Sequence, residues 1–163
     1  MVAACLLTLG AGRAETAAKL DGDRVRLHSP HAAAVARALK GAQRRLERPA
    51  CQRIFSDFYD ADGRPLRERL DGLSATGQEF LGSLLFYDGS SGDRCAHGAA
   101  LAYTFPGSRV VFVCAAEFAR HARHDPFLTE AALIHESLHS LGLGENPPTS
   151  AAITARVMAR CRQ

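Results

Sequence analysis

The sequence contains no block of like charge, no internal repeat and no low-complexity tract. Its 20 Lys and Arg and 17 Asp and Glu residues are dispersed, giving a formal charge of +3, which argues against a tail that binds nucleic acid or a membrane surface. Beyond the first residues no stretch approaches the roughly 20 apolar residues of a transmembrane helix, so no stable membrane insertion of the mature chain is expected. None of the cysteines forms a CxxC pair, which leaves no pattern for a structural zinc site built on thiolates. After Ala14 no linker is long enough to divide the chain, so residues 15–163 are expected to form one domain.

Hydrophobic residues make up 47% and charged residues 23% of the 163, the composition of an ordinary folded domain. Residues 1–14 read MVAACLLTLGAGRA. Their apolar run followed by Gly12, Arg13 and Ala14 predicts an export signal cleaved after Ala14. The run lacks the basic residues expected before it, which points to a start further upstream. Buried N-terminal helix is the plain alternative. Val2-Ala3-Ala4-Cys5 resembles a lipoprotein box, but apolar Leu6 and Leu7 follow where a polar tether is usual.

Removal of the signal would take Cys5 and leave Cys51, Cys95, Cys114 and Cys161. An even count supports disulfides in an oxidising, periplasmic or extracellular compartment. Of the three possible pairings, Cys95 with Cys114 and Cys51 with Cys161 are expected: the first two flank one predicted hairpin, and the last two sit on predicted helices. Unpaired buried thiols are the alternative.

Residues 31–58 are rich in Ala, Arg and Leu at helical spacing, and Pro49 divides them into two helical pieces. Residues 60–65, DADGRP, form a turn in which the carboxylates act as turn formers; Asp57 and its acidic neighbours are read as surface. Three strands are predicted, at 80–87, 99–105 and 109–114, the last two joined by Pro106-Gly107 as an antiparallel hairpin. Val110, Val111, Phe112 and Val113 suggest a strand covered on both faces. A helix is expected to begin near Pro126, carrying Ala131, Ile134, Leu138 and Leu141 as one apolar stripe. A last helix spans 150–161 with Ile153, Val157 and Cys161 on one face. This order predicts an α+β fold, a small and mostly antiparallel sheet packed on helices.

Within the Pro126 helix, His135-Glu136-Ser137-Leu138-His139 matches H-E-x-x-H. Four residues turn a helix by about 400°, so the two imidazoles lie about 40° apart in azimuth, one turn apart along the axis, and converge on one ion. Glu136 projects about 100° away from His135, where it can hydrogen-bond a water on that ion without ligating it. By this chain's usage of His and Glu the pattern arises by chance in about one such sequence in seventy. The plain alternative puts both histidines on the polar side of an amphipathic helix.

A catalytic zinc takes three protein ligands. No Asp, Glu or His follows Glu145, which makes Glu145 the candidate third ligand. A continued helix would carry it about 9 Å past His139, out of reach of a bond of about 2.0–2.2 Å, so the backbone has to reverse. Gly142 and Gly144 are the residues able to adopt the positive φ that such a reversal uses.

Together these residues read H-E-x-x-H-x-x-G-x-x-E, which resembles the zincin metallopeptidases and, in its glycine turn, the metzincin clan. The resemblance covers 11 residues, 135–145. It implies one catalytic Zn²⁺ on His135, His139 and Glu145, with Glu136 as general base, Gly142 as the turn, and a peptide or protein as substrate. Metzincins usually carry His or Asp where this chain has Glu145, and Met158 falls in a predicted helix and not in a methionine turn. The implied chemistry is amide hydrolysis by metal-activated water, with the strand at 109–114 as the edge that holds extended substrate. Tyr87, Tyr103, His97, His121 and His124 are candidate transition-state helpers. Two other readings fit the same features: an exported non-catalytic binding domain held by zinc or by disulfides, and a zinc amidase acting on cell-wall peptide.

Overall fold

The computed structural model describes residues 24–28, 31–96, 98 and 100–162; the expected export signal lies outside them. The chain forms a four-stranded sheet and a set of helices. The strands are β1 (Val25–Arg26), β2 (Leu85–Asp88), β3 (Ala102–Tyr103) and β4 (Val110–Val113). The helices are α1 (His31–Leu46), α2 (Pro49–Gln52), α3 (Ile54–Asp57), α4 (Leu66–Gly72), α5 (Gly77–Gly82), α6 (Asp93–Ala96), α7 (Ala115–His124), α8 (Pro126–Ser140) and α9 (Ser150–Cys161).

The fold is α+β, but its sheet is mixed. Strand order is β1-β2-β4-β3, with β1 parallel to β2, β2 parallel to β4, and only β3 antiparallel to β4. The expectation of a mostly antiparallel sheet holds for the hairpin alone. β1 and β2 are linked through five helices, α1 to α5, a crossover long enough to return the chain in the same direction. The expected strand at 80–87 is shortened by a helix. Thr76 Oγ1 accepts from the Glu79 N–H at 3.2 Å while the Glu79 carboxylate accepts from the Thr76 N–H at 2.8 Å, a capping box that commits residues 77–82 to α5. The 31–58 segment is three helical pieces instead of two, broken at Pro49 and again at Arg53.

Alternation decides the two faces of the sheet. Phe86, Val111, Val113 and Ala102 are buried against the helices, whereas Val110 and Phe112 are half-buried. The β4 segment is thus covered fully on one face only, and Phe112 stacks on Tyr103 across the hairpin, centroids 5.3 Å apart. β4 is also interior to the sheet, so the free edge beside the helices belongs to β3.

α1 packs against α5, α7 and α8. Its buried face, Ala34, Val35, Ala38, Leu39, Ala42 and Leu46, follows the 3-4 spacing of an amphipathic helix. Gly41 lets α8 come close, because a Cβ there would run into the Glu130 carboxyl that Arg45 binds. α8 is buried on nearly every side, between α1, α7, α9 and β3. Asp57, expected on the surface, accepts two hydrogen bonds from the Arg160 guanidinium at 2.7 and 2.8 Å, tying α3 to α9. Asp60 is a turn former as expected, yet its side chain is buried: Oδ1 accepts from the N–H groups of Asp62 and Arg64.

Cys51 pairs with Cys161 and Cys95 with Cys114, as the element positions suggested. No helix among the described residues is long and apolar enough to cross a membrane. The first disulfide closes a separation of 110 residues and fastens the end of α9 to α2. A loop of that length makes loss of the link costly through the entropy of the unfolded chain. Replacing both Cys51 and Cys161 with Ser should lower unfolding free energy by about 2–5 kcal/mol, read from the denaturant midpoint; an unchanged midpoint would contradict the clamp.

Candidate metal centre

α8 starts at a defined point. The Asp125 carboxylate accepts from the Leu128 N–H at 3.0 Å and Pro126 occupies the first turn, where its missing donor is harmless. The phase so set puts Ile134 and Leu138 in the core and directs His135, Glu136 and His139 towards β3. All three are buried, at 5, 6 and 5% exposure.

The helix ends in the expected reversal. Gly142 has φ +111°, its N–H donates to the His139 carbonyl at 2.8 Å, and the Leu143 N–H donates to the Leu138 carbonyl at 3.1 Å, satisfying carbonyls that α8 leaves open. A side chain at Gly142 would be strained by that φ and would meet the Asp60 Cβ at 3.4 Å. Gly144 does not adopt positive φ; the second left-handed residue is Asn146, at φ +65°. Asparagine tolerates this conformation because its short polar side chain bonds locally.

The reversal brings Glu145 back. Its Oε1 lies 3.3 Å from His139 Nε2 and 3.9 Å from His135 Nε2, and the two Nε2 atoms are 3.0 Å apart. His135, His139 and Glu145 form the one cluster among the described residues whose donor atoms could hold a metal ion, all within 4.8 Å of one another. The outer nitrogens orient the rings. His139 Nδ1 lies 2.8 Å from the Leu143 carbonyl, which can only accept, so the ring's proton sits on Nδ1 and Nε2 turns its lone pair to the cluster. His135 Nδ1 is 2.9 Å from the Thr154 hydroxyl of α9. Burial first, and the neighbouring His139 second, push the His135 pKa down to about 3, so this imidazole is neutral and free to ligate.

Glu136 stands beside this cluster and outside it. Burial, then the nearby Glu145 carboxylate, raise its pKa to about 8, while the Thr104 N–H donates to it and the Arg94 charge pulls the other way. The hairpin register explains the Thr104 bond. The Cys114 N–H donates to the Leu101 carbonyl, so Leu101 and Tyr103 face β4, whereas the backbone groups of Ala102 and Thr104 face α8. The Gly107 N–H of the hairpin turn donates to the His139 carbonyl at 2.9 Å and fixes that edge to the helix.

A cleft of about 240 Å³ opens over the cluster, lined by Arg94, Tyr103, Phe105, Glu136, His139 and Glu145 among others. A second, of about 290 Å³, continues past His135 along Ala102 to His121, Leu128 and Thr154. Of the anticipated helpers, Tyr103 lines the first cleft but packs its hydroxyl on the Gly89–Gly92 turn, and His121 lines the second, 3.0 Å from Glu117. Tyr87 and His124 line neither, and His97 lies outside the described residues. Thr104, Thr154 and Arg94 carried no sequence signal, because their roles arise from contacts between distant segments.

No known protein family, characterised protein or solved structure matches this chain. The functional reading therefore rests on the site itself.

The raised pKa of Glu136 has a definite sign. In the metal-free fold its ionised form is disfavoured, a cost absent below the ordinary value of 4.5 and complete above about 8. In chelator, Glu136→Gln should gain stability over the parent as pH rises from about 5 to about 8.5, by on the order of a few kcal/mol. Denaturant midpoints across that range check this, and a constant gap would contradict it.

Proposed function

We propose that the protein is an exported zinc-dependent peptidase, with His135, His139 and Glu145 holding one Zn²⁺ and Glu136 as general base. The observation that carries this reading is the convergence of two buried imidazole Nε2 atoms and one partly exposed carboxylate oxygen on a single point. Zinc bonds of about 2.0–2.2 Å in tetrahedral array place ligands about 3.3–3.6 Å apart. The observed separations of 3.0, 3.3 and 3.9 Å bracket that edge. The donor set of two nitrogens and one oxygen suits zinc, and three protein ligands leave one position for water, as in catalytic sites.

Bound zinc would supply Lewis acidity, polarising a scissile carbonyl and acidifying water. The chain's own residues do the rest. Burial makes Glu136 more basic than an ordinary carboxylate, and a cation beside it would favour its ionised form, so that it could accept a proton and pass it to the leaving amine. The Thr104 N–H aims its carboxylate, so the base does not have to be sorted into position in each turnover. The outward N–H and C=O of Ala102 on the β3 edge can pair with an extended peptide laid along both clefts. This role passes to β3 from the 109–114 strand, which is interior. A purely structural metal site has no use for a buried carboxylate beside it, which favours catalysis over a binding domain. The two disulfides support an oxidising compartment and hence export.

Peptide-library hydrolysis measured together with metal content tests the proposal. The parent should bind about one zinc and cleave; Glu136→Gln should keep the zinc and lose at least about a thousandfold in kcat/KM. A parent that holds zinc yet cleaves nothing would contradict peptidase activity, and one that holds no zinc would contradict the site. Thr154→Val should weaken zinc affinity about 10–100-fold by releasing His135 Nδ1, measured by competition with a chromogenic chelator; unchanged affinity would remove Thr154 from the metal's support.

A further inference from the structure

One cation in the cleft has no part in the chemistry described beyond its field at Glu136. Arg94, on α6, lines the 240 Å³ cleft beside Glu136, His139 and Glu145, and no hydrogen bond or ion pair is formed by its guanidinium among the described residues. Arg45, Arg64, Arg67, Arg120 and Arg160 each pair with a carboxylate. Arg94 instead lies over the rings of Tyr103 and Phe105, 5.7 and 5.8 Å from their centroids, close enough for cation–π attraction. These rings come from alternate positions at the β3 edge, so they share the outer face of the hairpin.

Its backbone is restrained as well. The adjacent Cys95 is bonded to Cys114 at the end of β4, and Gly92 packs so close to the Tyr103 hydroxyl that a Cβ there would lie 2.6 Å from it. α6 is therefore bound to the strand that carries the edge, and the exposed guanidinium lies at the cleft wall with no carboxylate partner among the described residues. A divalent ion would offset the charges of Glu136 and Glu145, leaving Arg94 as the net positive charge of this cleft. The second cleft offers no counterpart, since its His121 already faces Glu117.

Resting on the hydrolytic reading above, we infer that Arg94 is a specificity residue that binds a carboxylate of the peptide substrate on the Tyr103–Phe105 side of the metal centre. A fork of this kind matches a carboxylate bidentately. A cleft of this volume is about 8 Å across, or about two residues of extended chain at about 3.3 Å each, which places the recognised group within about two residues of the scissile bond. The carboxylate could belong to an acidic side chain or to a free C-terminus; the chemistry Arg94 reads is the same.

Paired fluorogenic peptides separate the two sources. One set exchanges Glu for Gln at each position around the cleaved bond, and the other exchanges a free C-terminus for its amide. The parent should prefer the charged member about tenfold or more in kcat/KM in one set, on one side of the bond only. Arg94→Gln should reduce that ratio to near one, and Arg94→Glu should shift preference towards Lys at the same position. A parent indifferent to charge in both sets, or a preference surviving in Arg94→Gln, would overturn the assignment. Calorimetry on zinc-loaded Glu136→Gln protein, with and without Arg94→Gln, measures the same discrimination as a Kd ratio without turnover. If the parent cuts no peptide, the hydrolytic reading fails and this ratio alone decides for Arg94: about tenfold and lost in the double variant sustains it, equal or unmeasurable binding overturns it.

Discussion

Two buried imidazole nitrogens with a partly exposed carboxylate oxygen, all within 4 Å of one another, are the constraint around which this fold is arranged. Such a cluster could hold a metal ion, and much of the surrounding structure keeps its three groups in place. Leu143, itself buried, turns its carbonyl to His139, so the residue that completes the helix cap also sets the ring's tautomer. Thr154, from another helix, holds the His135 ring in place through Nδ1.

Support spreads outward from there. α9 carries Thr154, and it is fixed at its far end by the Cys51–Cys161 disulfide and by Arg160 on Asp57. The Asp60 turn lies under Gly142, so a loop distant in sequence backs the reversal that returns Glu145. On the opposite wall, the Gly107 bond to the His139 carbonyl registers the hairpin edge against the helix, which is why Thr104 meets Glu136. A groove with a basic carboxylate at its floor and unpaired backbone groups along one side follows from these few links.

Much of this was legible in the residues because it is local. H-E-x-x-H fixes its own geometry once a helix is assumed, Pro126 and the apolar stripe through Ile134 and Leu138 supply that helix, and Gly142 marks its end. The bounds of α9 and both disulfides followed from periodicity and element placement. The sheet was not legible: strands of two and four residues carry too little pattern to tell parallel from antiparallel pairing, which is decided by crossover helices far away in sequence. The Thr76–Glu79 capping box was a readable signal for α5, overshadowed by the apolar run that follows it. Gly144 looked as suited to positive φ as Gly142, yet the left-handed position is taken by Asn146. Thr104, Thr154 and Arg94 belong to the site only through tertiary contacts that spacing cannot encode.

X-ray absorption at the zinc edge of the metal-loaded protein tests the central claim most directly. Two imidazole nitrogens and oxygen neighbours at about 2.0–2.2 Å, with the carboxylate contribution lost in Glu145→Ala, is the predicted shell. Sulfur neighbours, an all-oxygen shell, or a spectrum indifferent to Glu145→Ala would contradict it.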